Sequence, residues 1–298
     1  MPVVPAMGKE PSAALRGAFS WIRNAGDALT SVFLPADCRL CEQPLLRSSR
    51  LPVCEDCLAA FPRISSEKQC ATCGLPLQAT PGADGLDDAD DDARHPDAPE
   101  QPVLSGPTGG TLCGECRSRT FRFDLARSFA CYENPLVRAV LLLKFEELEP
   151  LADWFADRLA ELVRQNPSIS QADLVVPVPL HKQRRNERGF NQAELLSKRV
   201  ARRLKLPHAG VLLVRKKPRP DKHLLTQRER WESVRGAFAT HAGSQVDNRR
   251  VLLVDDVMTT GATLDACAKA LRDAGASEVF GLTVARATGG PRKVSVRY

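Results

Sequence analysis

Several features that mark whole classes of protein are missing from this sequence. No stretch approaches the ~20 consecutive apolar residues that cross a bilayer, which argues against an integral membrane protein. The N-terminal region scatters charged residues among its apolar ones and lacks the order of an export signal, which predicts a cytoplasmic protein. The phosphate loop G-x-x-x-x-G-K-[ST] of nucleoside triphosphatases does not occur, and the five histidines form no catalytic constellation.

Charge is unevenly distributed along the chain. Its 298 residues, 43% of them hydrophobic, are enough for about two domains, and the formal net charge is +6. Between Asp84 and Glu100 there are eight acidic residues against one basic residue, Arg94. Between Lys182 and Arg235 there are seventeen Lys and Arg against five Asp and Glu, a net charge of +12. This basic region favours polyanionic ligands such as pyrophosphate or nucleic acid, although solvated helix faces carry similar charge.

Eight of the ten cysteines occur before residue 117, as four C-x-x-C pairs. Each pair can place two thiolates on one metal ion, and zinc accepts four, so the four pairs predict two structural zinc sites. Zinc would supply folding energy that this region, short in large apolar residues, cannot obtain from a core. The predicted ligands are Cys38, Cys41, Cys54, Cys57, Cys70, Cys73, Cys113 and Cys116.

The sequence leaves open how these pairs combine. Pairing of neighbours along the chain is the first choice, and interleaved pairing is the alternative. Disulfides are disfavoured by the missing export signal, and a redox dithiol is disfavoured by the fourfold repetition. His95 is not expected to be a ligand, and Cys131 and Cys267 are assigned to packing.

Composition divides the chain into three regions. Residues 1–34 form a tail with one amphipathic helix, at about Ala13–Leu34, that packs on a neighbouring domain or, as the lesser alternative, contacts a membrane surface. Residues 35–120 form a double zinc ribbon, in which the acidic, Pro/Gly-rich segment 80–110 is expected to be a disordered insert. Residues 129–298 form an α/β domain.

Apolar runs alternate with helical patterns in this last region, which predicts a parallel sheet covered by helices on both faces. Helices are predicted at about Pro135–Lys144, Pro150–Gln165 and Phe190–Leu204, and from Gly261 to just before Gly275. Strands are predicted at Leu174–Val178, Val211–Val214, about Val234–Ala239, Val251–Val254 and Val279–Val284, with basic loops after the first two.

The most informative segment is Val251-Leu-Leu-Val-Asp-Asp-Val-Met-Thr-Thr-Gly-Ala-Thr-Leu264, where a buried strand leads into two acids and a Thr/Gly turn that opens a helix. Unpaired amides at a helix start, together with the helix dipole, suit a phosphate monoester. Gly261 lets the backbone approach closely, and the threonine hydroxyls add donors. Asp255 and Asp256 can accept hydrogen bonds from ribose hydroxyls, and Mg²⁺ bridging ribose and pyrophosphate would offset the negative charge.

Other uses of an apolar strand followed by Asp-Asp fit less well. A Walker B strand would need the missing phosphate loop. A phospho-receiver domain would need most of its sheet after Asp256, where only 42 residues remain. As separate structural pieces, an acid pair and a Thr-rich helix cap are ordinary, but the complete string is not.

These residues resemble those of a known family. The Val251–Leu264 string is similar to the ribose-phosphate loop of type I phosphoribosyltransferases, and C-x-x-C pairs followed by a sheet domain resemble the ComF (competence protein F) family. In the flap, where family members often carry Gln and Asn, this chain has Lys222 or His223 and Ser233, and its acidic insert is unusually long. Further similarities are Phe129-x-x-Tyr132, Leu143-Lys-Phe145, Val176-Pro-Val-Pro-Leu180 and Arg188-Gly-Phe-Asn-Gln192.

The resemblance implies a site for 5-phosphoribosyl-1-pyrophosphate with Mg²⁺. It implies that Pro177–Lys182 is the pyrophosphate loop and that Arg215–Ser233 is a mobile flap. Asp255 and Asp256 would act in catalysis by stabilising positive charge on the ribose ring. The residues expected to bind the substrate are Thr259, Thr260, Gly261, Ala262, Thr263, Pro179, Leu180, Lys182 and Arg188.

Two kinds of function remain open, a working phosphoribosyltransferase and a non-catalytic sensor or scaffold. The resemblance also implies a part in DNA uptake during natural transformation, with single-stranded DNA and DNA-uptake proteins as candidate partners. Aromatic residues for base stacking are few in the basic region. The glutamine-dependent amidotransferase of purine synthesis shares the loop but needs a catalytic cysteine at its mature N-terminus, and Met1-Pro2-Val3 offers none.

Overall fold

A computed structural model of the chain divides it into two compact units, Met1–Ala60 and Phe61–Tyr298. The predicted helix at Ala13–Leu34 and nearly all of the insert at 80–110 lie outside the residues that the structure describes. None of the described helices is long and apolar enough to cross a membrane. The described residues are 37–45, 50–77, 110–146, 148–218, 226–241 and 246–288.

Within the described residues of the first unit there is one short helix, α1 (Glu55–Ala59). Its N-cap is Cys54, whose Sγ accepts a hydrogen bond from the amide of Cys57 at 3.4 Å. Glu55 and Asp56 in the first turn suit the positive end of the helix dipole. The second C-x-x-C pair therefore forms the start of a helix, which explains why its two sulfur atoms point the same way.

The second unit is built on a four-stranded parallel sheet. Its strands are β1 (Leu125–Cys131), β2 (Leu174–Pro177), β5 (Arg250–Met258) and β6 (Glu278–Arg286). Their order in the sheet is β1-β6-β5-β2, and all neighbours are parallel, which confirms the predicted parallel sheet. Every residue of β6 after the first is buried, and successive side chains of a strand face opposite sides, so both faces of the sheet are covered.

Helices connect these strands and supply most of the remaining core. The described helices of this unit are α2 (Gly114–Ser118), α3 (Leu136–Phe145), α4 (Glu149–Gln165), α5 (Lys182–Arg188), α6 (Gln192–Leu204), α7 (Gln227–Val234) and α8 (Ala262–Asp273). The four helices predicted from the sequence are α3, α4, α6 and α8, and all four are confirmed, with ends that shift by at most about two residues. The helix α4 packs on α6, and α8 links β5 directly to β6.

Two of the predicted strands do not belong to the parallel sheet, which corrects the sequence-based expectation. The strands β3 (Leu213–Arg215) and β4 (Phe238–Thr240) pair antiparallel in a sheet of their own. Val234, which was predicted to begin the second of them, is instead the last residue of α7. Both strands contact α8, so these apolar residues are buried against a helix, and periodicity alone does not distinguish that burial from burial in a parallel sheet.

Two helices lie where loops were predicted. The basic loop after β2 contains α5, which His181 caps by accepting from the Gln183 amide at 3.4 Å and which ends at Gly189 in the left-handed region. Its residues are almost all charged, so it carries no apolar stripe to reveal it. The C-terminal part of the predicted flap forms α7, whose capping box joins Thr226 and Glu229.

The sheet begins earlier than the apolar pattern indicates. The edge strand β1 starts at Leu125 and contains Arg127 and Ser128, which interrupt its apolar run. Both polar residues are buried and paired: Ser128 Oγ lies 2.6 Å from Thr283 Oγ1 on β6. The strand β5 is also longer than predicted and includes both acids at its C-terminal end.

Candidate functional site

The turn between β5 and α8 requires a glycine. Gly261 has φ +83°, in the left-handed region that side chains disfavour. A Cβ atom there would lie 3.0 Å from Met258 Cε and 3.0 Å from Phe121 Cε1. Backbone conformation and close packing therefore both demand glycine, and the chain can turn sharply from the sheet into the helix.

The amides of this turn are available to a ligand. The first backbone hydrogen bond of α8 runs from the Asp265 amide to the Gly261 carbonyl at 2.9 Å, and the Ala262 amide reaches Thr260 Oγ1 at 3.4 Å. Together with the helix dipole, the preceding N–H groups form a site suited to an anion. Within the described part of the chain, no backbone acceptor pairs with the amides of Thr259, Thr260, Gly261 and Thr263.

The two acids at the end of β5 have different surroundings. Asp255 is half-buried, and its Oδ1 accepts a hydrogen bond from the Asp256 amide at 2.8 Å. Asp256 is only 5% exposed. Its Oδ2 lies 3.1 Å from Lys144 Nζ and accepts from Gln192 Nε2 at 2.9 Å. The two carboxylates therefore differ in exposure: Asp256 is buried against a cation and an amide, and Asp255 is half-buried.

A polar network extends from Asp256 along the cleft. Arg188 Nη1 donates to Gln192 Oε1 at 3.2 Å, and the Arg188 guanidinium lies 5.2 Å from the centre of the Phe145 ring. Burial lowers the pKa of Arg188, and the nearby Asp256 charge opposes that shift. The network thus positions a desolvated cation beside the acids.

These groups surround a cleft of about 310 Å³. Among the residues that line it, five lysine and arginine side chains outnumber two aspartates, so the cleft favours a ligand that carries several negative charges. Arg230 reaches the turn directly, because its Nη1 donates to Thr259 Oγ1 at 3.2 Å. The charged lining residues are Lys144, Arg184, Arg188, Arg215, Arg230, Asp255 and Asp256.

Most of the predicted site residues meet at this cleft, although nothing tests their roles. Thr260, Gly261 and Ala262 shape the turn without lining the cleft, and Lys182 is exposed at the start of α5 and does not line it either. The predicted residues that line the cleft are Pro179, Leu180, Arg188, Asp255, Asp256, Thr259 and Thr263.

Sequence reasoning assigned no role to several residues that the fold brings here. Lys144 and Gln192 lie inside two of the strings that carried the family resemblance, so the signal was present but was not converted into a contact with Asp256. Arg215 and Arg230 were included only as part of the flap. Val178 and His181 were included only as part of the pyrophosphate loop, and the other unassigned lining residues are Tyr132, Arg184 and Val257.

The eight paired cysteines form two separate four-sulfur groups, each with sulfur atoms within 4.8 Å of one another. The sulfur atoms of Cys73 and Cys113 are 3.6 Å apart, and those of Cys41 and Cys54 are 3.7 Å apart. A tetrahedron with Zn–S bonds of ~2.3 Å has S–S edges of about 3.8 Å, so both groups fit zinc. The first cluster comprises Cys38, Cys41, Cys54 and Cys57, and the second cluster comprises Cys70, Cys73, Cys113 and Cys116, which is the pairing of neighbours.

The clustered thiols have pKa values shifted in opposite directions. Burial opposes ionisation of Cys38, but amide N–H groups, led by that of Cys54, outweigh it and lower the pKa of Cys38 to about 6, whereas burial raises the pKa of Cys57. In the second cluster the hydrogen bond with Cys116 lowers the pKa of Cys113 to about 6, and the hydrogen bond with Cys113 raises the pKa of Cys116. Each cluster therefore shares its protons unevenly among its sulfur atoms. Burial also raises the pKa of the Cys267 thiol.

Comparisons with known proteins match both parts of the chain. Residues 29–88 match the double zinc ribbon domain and residues 191–295 match the phosphoribosyl transferase domain. Competence protein F of Haemophilus influenzae is 31% identical over 183 residues, which cover 59% of this chain and 78% of that protein. DNA utilization protein YhgH of Salmonella typhimurium is 29% identical over 250 residues, which cover 83% of this chain and 95% of that protein.

Among solved structures, a purine phosphoribosyltransferase from Pyrococcus horikoshii Ot3 shares 18% identity with this chain. The match covers 45% of this chain and 84% of that one, with a TM-score of 0.30, which is too low to support an argument. The zinc-ribbon match ends at residue 88, before the fourth cysteine pair. The structure nevertheless brings that pair to the third, so the ribbon continues beyond the acidic insert.

Proposed function

The chain belongs to the competence protein F (ComF) family, and on that premise we propose that its cleft binds 5-phosphoribosyl-1-pyrophosphate with Mg²⁺. The observation that carries the proposal is the set of amides at the start of α8 that have no backbone acceptor within the described residues, beside Asp255, in a cleft whose charged lining residues are mostly cations. The 5′-phosphate would bind the amides from Thr259 to Thr263. The pyrophosphate would lie along Pro179 and Leu180, against Arg188.

The two acids take different parts in this proposal. Asp255 accepts hydrogen bonds from the ribose hydroxyls, because it is half-buried and lines the cleft beside the phosphate turn. Asp256 orients Lys144 and Gln192 and thereby Arg188. Carboxylate oxygens are the ligands that Mg²⁺ prefers, so Asp255 is also the residue best suited to hold it, and the ion would neutralise pyrophosphate charge.

The reaction that suits these groups is transfer of the phosphoribosyl unit. A nucleophile forms a bond to the anomeric carbon while the bond from that carbon to pyrophosphate breaks, and the nucleophile loses its proton. Asp255 stabilises the positive charge that develops on the ribose ring. Arg215 and Arg230 hold the departing pyrophosphate, since both line the cleft and Arg230 already contacts the phosphate turn.

Replacing Asp255 by asparagine should weaken binding of the substrate about 10- to 100-fold, because charge-assisted hydrogen bonds contribute about 1.5–3 kcal/mol. Isothermal titration with 5-phosphoribosyl-1-pyrophosphate and Mg²⁺ measures this. Asp273→Asn is the matched control, because Asp273 lies on α8 and pairs with Lys269 at the surface, outside the cleft lining. Its affinity should equal that of the wild type.

Two results would reject the proposed site. The first is no binding by the wild-type protein, and the second is equal binding by wild type and Asp255→Asn. If the site binds, release of pyrophosphate with nucleobases as acceptors separates an enzyme from a sensor. Binding without release would favour the non-catalytic alternative.

Single-stranded DNA is a second candidate ligand, favoured by the surface at the cleft mouth. Phe145 is 63% exposed, and the Arg188 guanidinium lies over its ring at 5.2 Å from the ring centre. The helix α5, which carries Arg188, also carries Lys182, Arg184 and Arg185. An aromatic ring beside cations can stack a base while the cations contact phosphates. This would suit a cytoplasmic role in DNA uptake together with DNA-uptake proteins; the relatives' names refer to competence and to DNA utilization.

We expect Phe145→Ala to weaken binding of a single-stranded oligonucleotide by about 5- to 100-fold, since stacking of one base contributes about 1–3 kcal/mol. Val211→Ala is the matched control, because Val211 is the other large apolar side chain that is exposed in the described residues, at 78%. Fluorescence anisotropy at several salt concentrations measures both. An affinity that does not fall with salt, or equal loss in the two variants, would argue against this surface.

A further inference from the structure

The second cluster belongs to the core of the α/β unit. Cys70, Cys73 and Cys113 are buried in one apolar cluster with Phe121 and Phe123. The backbone between Cys70 and Cys73 also bonds to the sheet, because the Ala126 amide of β1 donates to the Thr72 carbonyl at 2.8 Å. A change at this metal site is therefore transmitted to residues of the sheet.

Arg286 contacts the second cluster and the phosphate turn at the same time. It is the last residue of β6 and is 4% exposed. Its Nη2 donates to Cys73 Sγ at 3.7 Å. Its Nη1 donates to the carbonyl oxygens of Met258, at 3.2 Å, and Thr259, where the turn begins. One guanidinium thus joins a metal ligand to the backbone that presents the anion-binding amides.

The segment that follows the second cluster holds α8 at both ends. Phe121 packs against Gly261, and the Arg122 amide donates to Asp265 Oδ1 at 2.6 Å in the first turn of α8. Asp124 pairs with Arg272 in the last turn. These contacts are independent of Arg286, and they tie the same helix to the same cluster.

From these contacts we propose that Arg286 is a positioning residue, through which zinc in the second cluster fixes the Thr259–Gly261 turn and so raises its affinity for a sugar phosphate. Four thiolates around one Zn²⁺ carry a net negative charge, which holds the buried guanidinium in place. When the metal leaves, Cys73 loses its fixed position and Arg286 loses that partner, so the carbonyls it holds are released. This inference rests on the proposed function of the cleft.

Coupling of this kind is reciprocal. If zinc raises the affinity of the turn for its ligand, the ligand must raise the affinity of the second cluster for zinc by the same factor. The prediction can therefore be tested on the wild-type protein, without any variant, by measuring its equilibrium affinity for zinc.

Arg127 provides a matched control. It is also a buried arginine beside the second cluster, 8% exposed, and its Nη2 donates to the Ala71 carbonyl at 3.1 Å. It makes no hydrogen bond to the phosphate turn within the described residues. Arg127→Lys should therefore perturb the cluster without uncoupling it from the turn, whereas Arg286→Lys should uncouple them.

The test measures how zinc partitions at equilibrium between the protein and a competing colorimetric chelator, with and without 5-phosphoribosyl-1-pyrophosphate and Mg²⁺. We expect the ligand to raise the affinity for one zinc equivalent roughly 5-fold or more in wild type and in Arg127→Lys, and clearly less in Arg286→Lys. Thermal unfolding checks that each variant is folded.

The inference is overturned if the ligand binds to wild type by calorimetry but leaves the zinc affinity unchanged. It is also overturned if a folded Arg286→Lys variant shows the same gain in zinc affinity as wild type. Absence of binding by calorimetry is a different outcome, because it rejects the proposed function itself.

Discussion

Removal of zinc with a strong chelator under reducing conditions is expected to destabilise the Phe61–Tyr298 unit more than any single surface substitution. Apparent binding free energies of structural zinc are about 10–16 kcal/mol, and they contribute directly to folding. Here the effect should reach the sheet, because Cys70, Cys73 and Cys113 pack with Phe121 and Phe123 inside its core. Scanning calorimetry with and without chelator measures the loss.

The expected zinc content is about two ions per chain by elemental analysis, one for each cluster. Cys73→Ser should lose one ion and lower the thermal midpoint. Cys131→Ser is the control, since Cys131 lies at the end of β1, outside both clusters, and should retain both ions. Less than about one ion per chain, or a midpoint that chelation does not change, would contradict the assignment.

Asp256→Asn is expected to lower the free energy of unfolding by about 3 kcal/mol, because it leaves the mostly buried ammonium of Lys144 without its carboxylate. Lys144→Met in the same protein should restore much of the loss, because an apolar side chain can replace a buried ion pair at little cost. Denaturant unfolding of the two single variants and the double variant measures the coupling as a double-mutant cycle.

Asp273→Asn again serves as the control, because its pair with Lys269 is exposed and should contribute at most about 1 kcal/mol. If Asp256→Asn unfolds with the wild-type free energy, Lys144 has found another partner and Asp256 is not the structural acid. In that case, substrate binding by the Asp256→Asn variant decides the role of Asp256. Loss of substrate binding in a fully stable Asp256→Asn variant would assign ribose contact to both acids.

The sequence predicted the parts of the site that depend on consecutive residues. The string from Val251 to Leu264 specifies a strand, an acid pair and a glycine turn that opens a helix, and each of these forms as expected. The C-x-x-C pairs likewise specify two sulfurs per turn. Local geometry is set by neighbours in sequence, so patterns of this kind can be interpreted without the fold.

Contacts between distant segments could not be obtained in this way. Lys144 and Gln192 meet Asp256 only because the end of α3, the start of α6 and the C-terminal part of β5 come together. The pairing of the antiparallel strands β3 and β4, and the helical form of α5, also depended on partners that periodicity does not reveal. Tertiary packing overrides local preference at these places.

By itself, the sequence determined that two cysteine clusters and one phosphate-type turn exist, because each follows from residue types at fixed short spacing. Only the tertiary structure decided which cysteine pairs share a metal and which acid is paired with a lysine. It also decided that Arg286, at the end of the last strand, joins the second cluster to the turn. These are distances between segments far apart in the chain, which are fixed when the sheet and its helices pack.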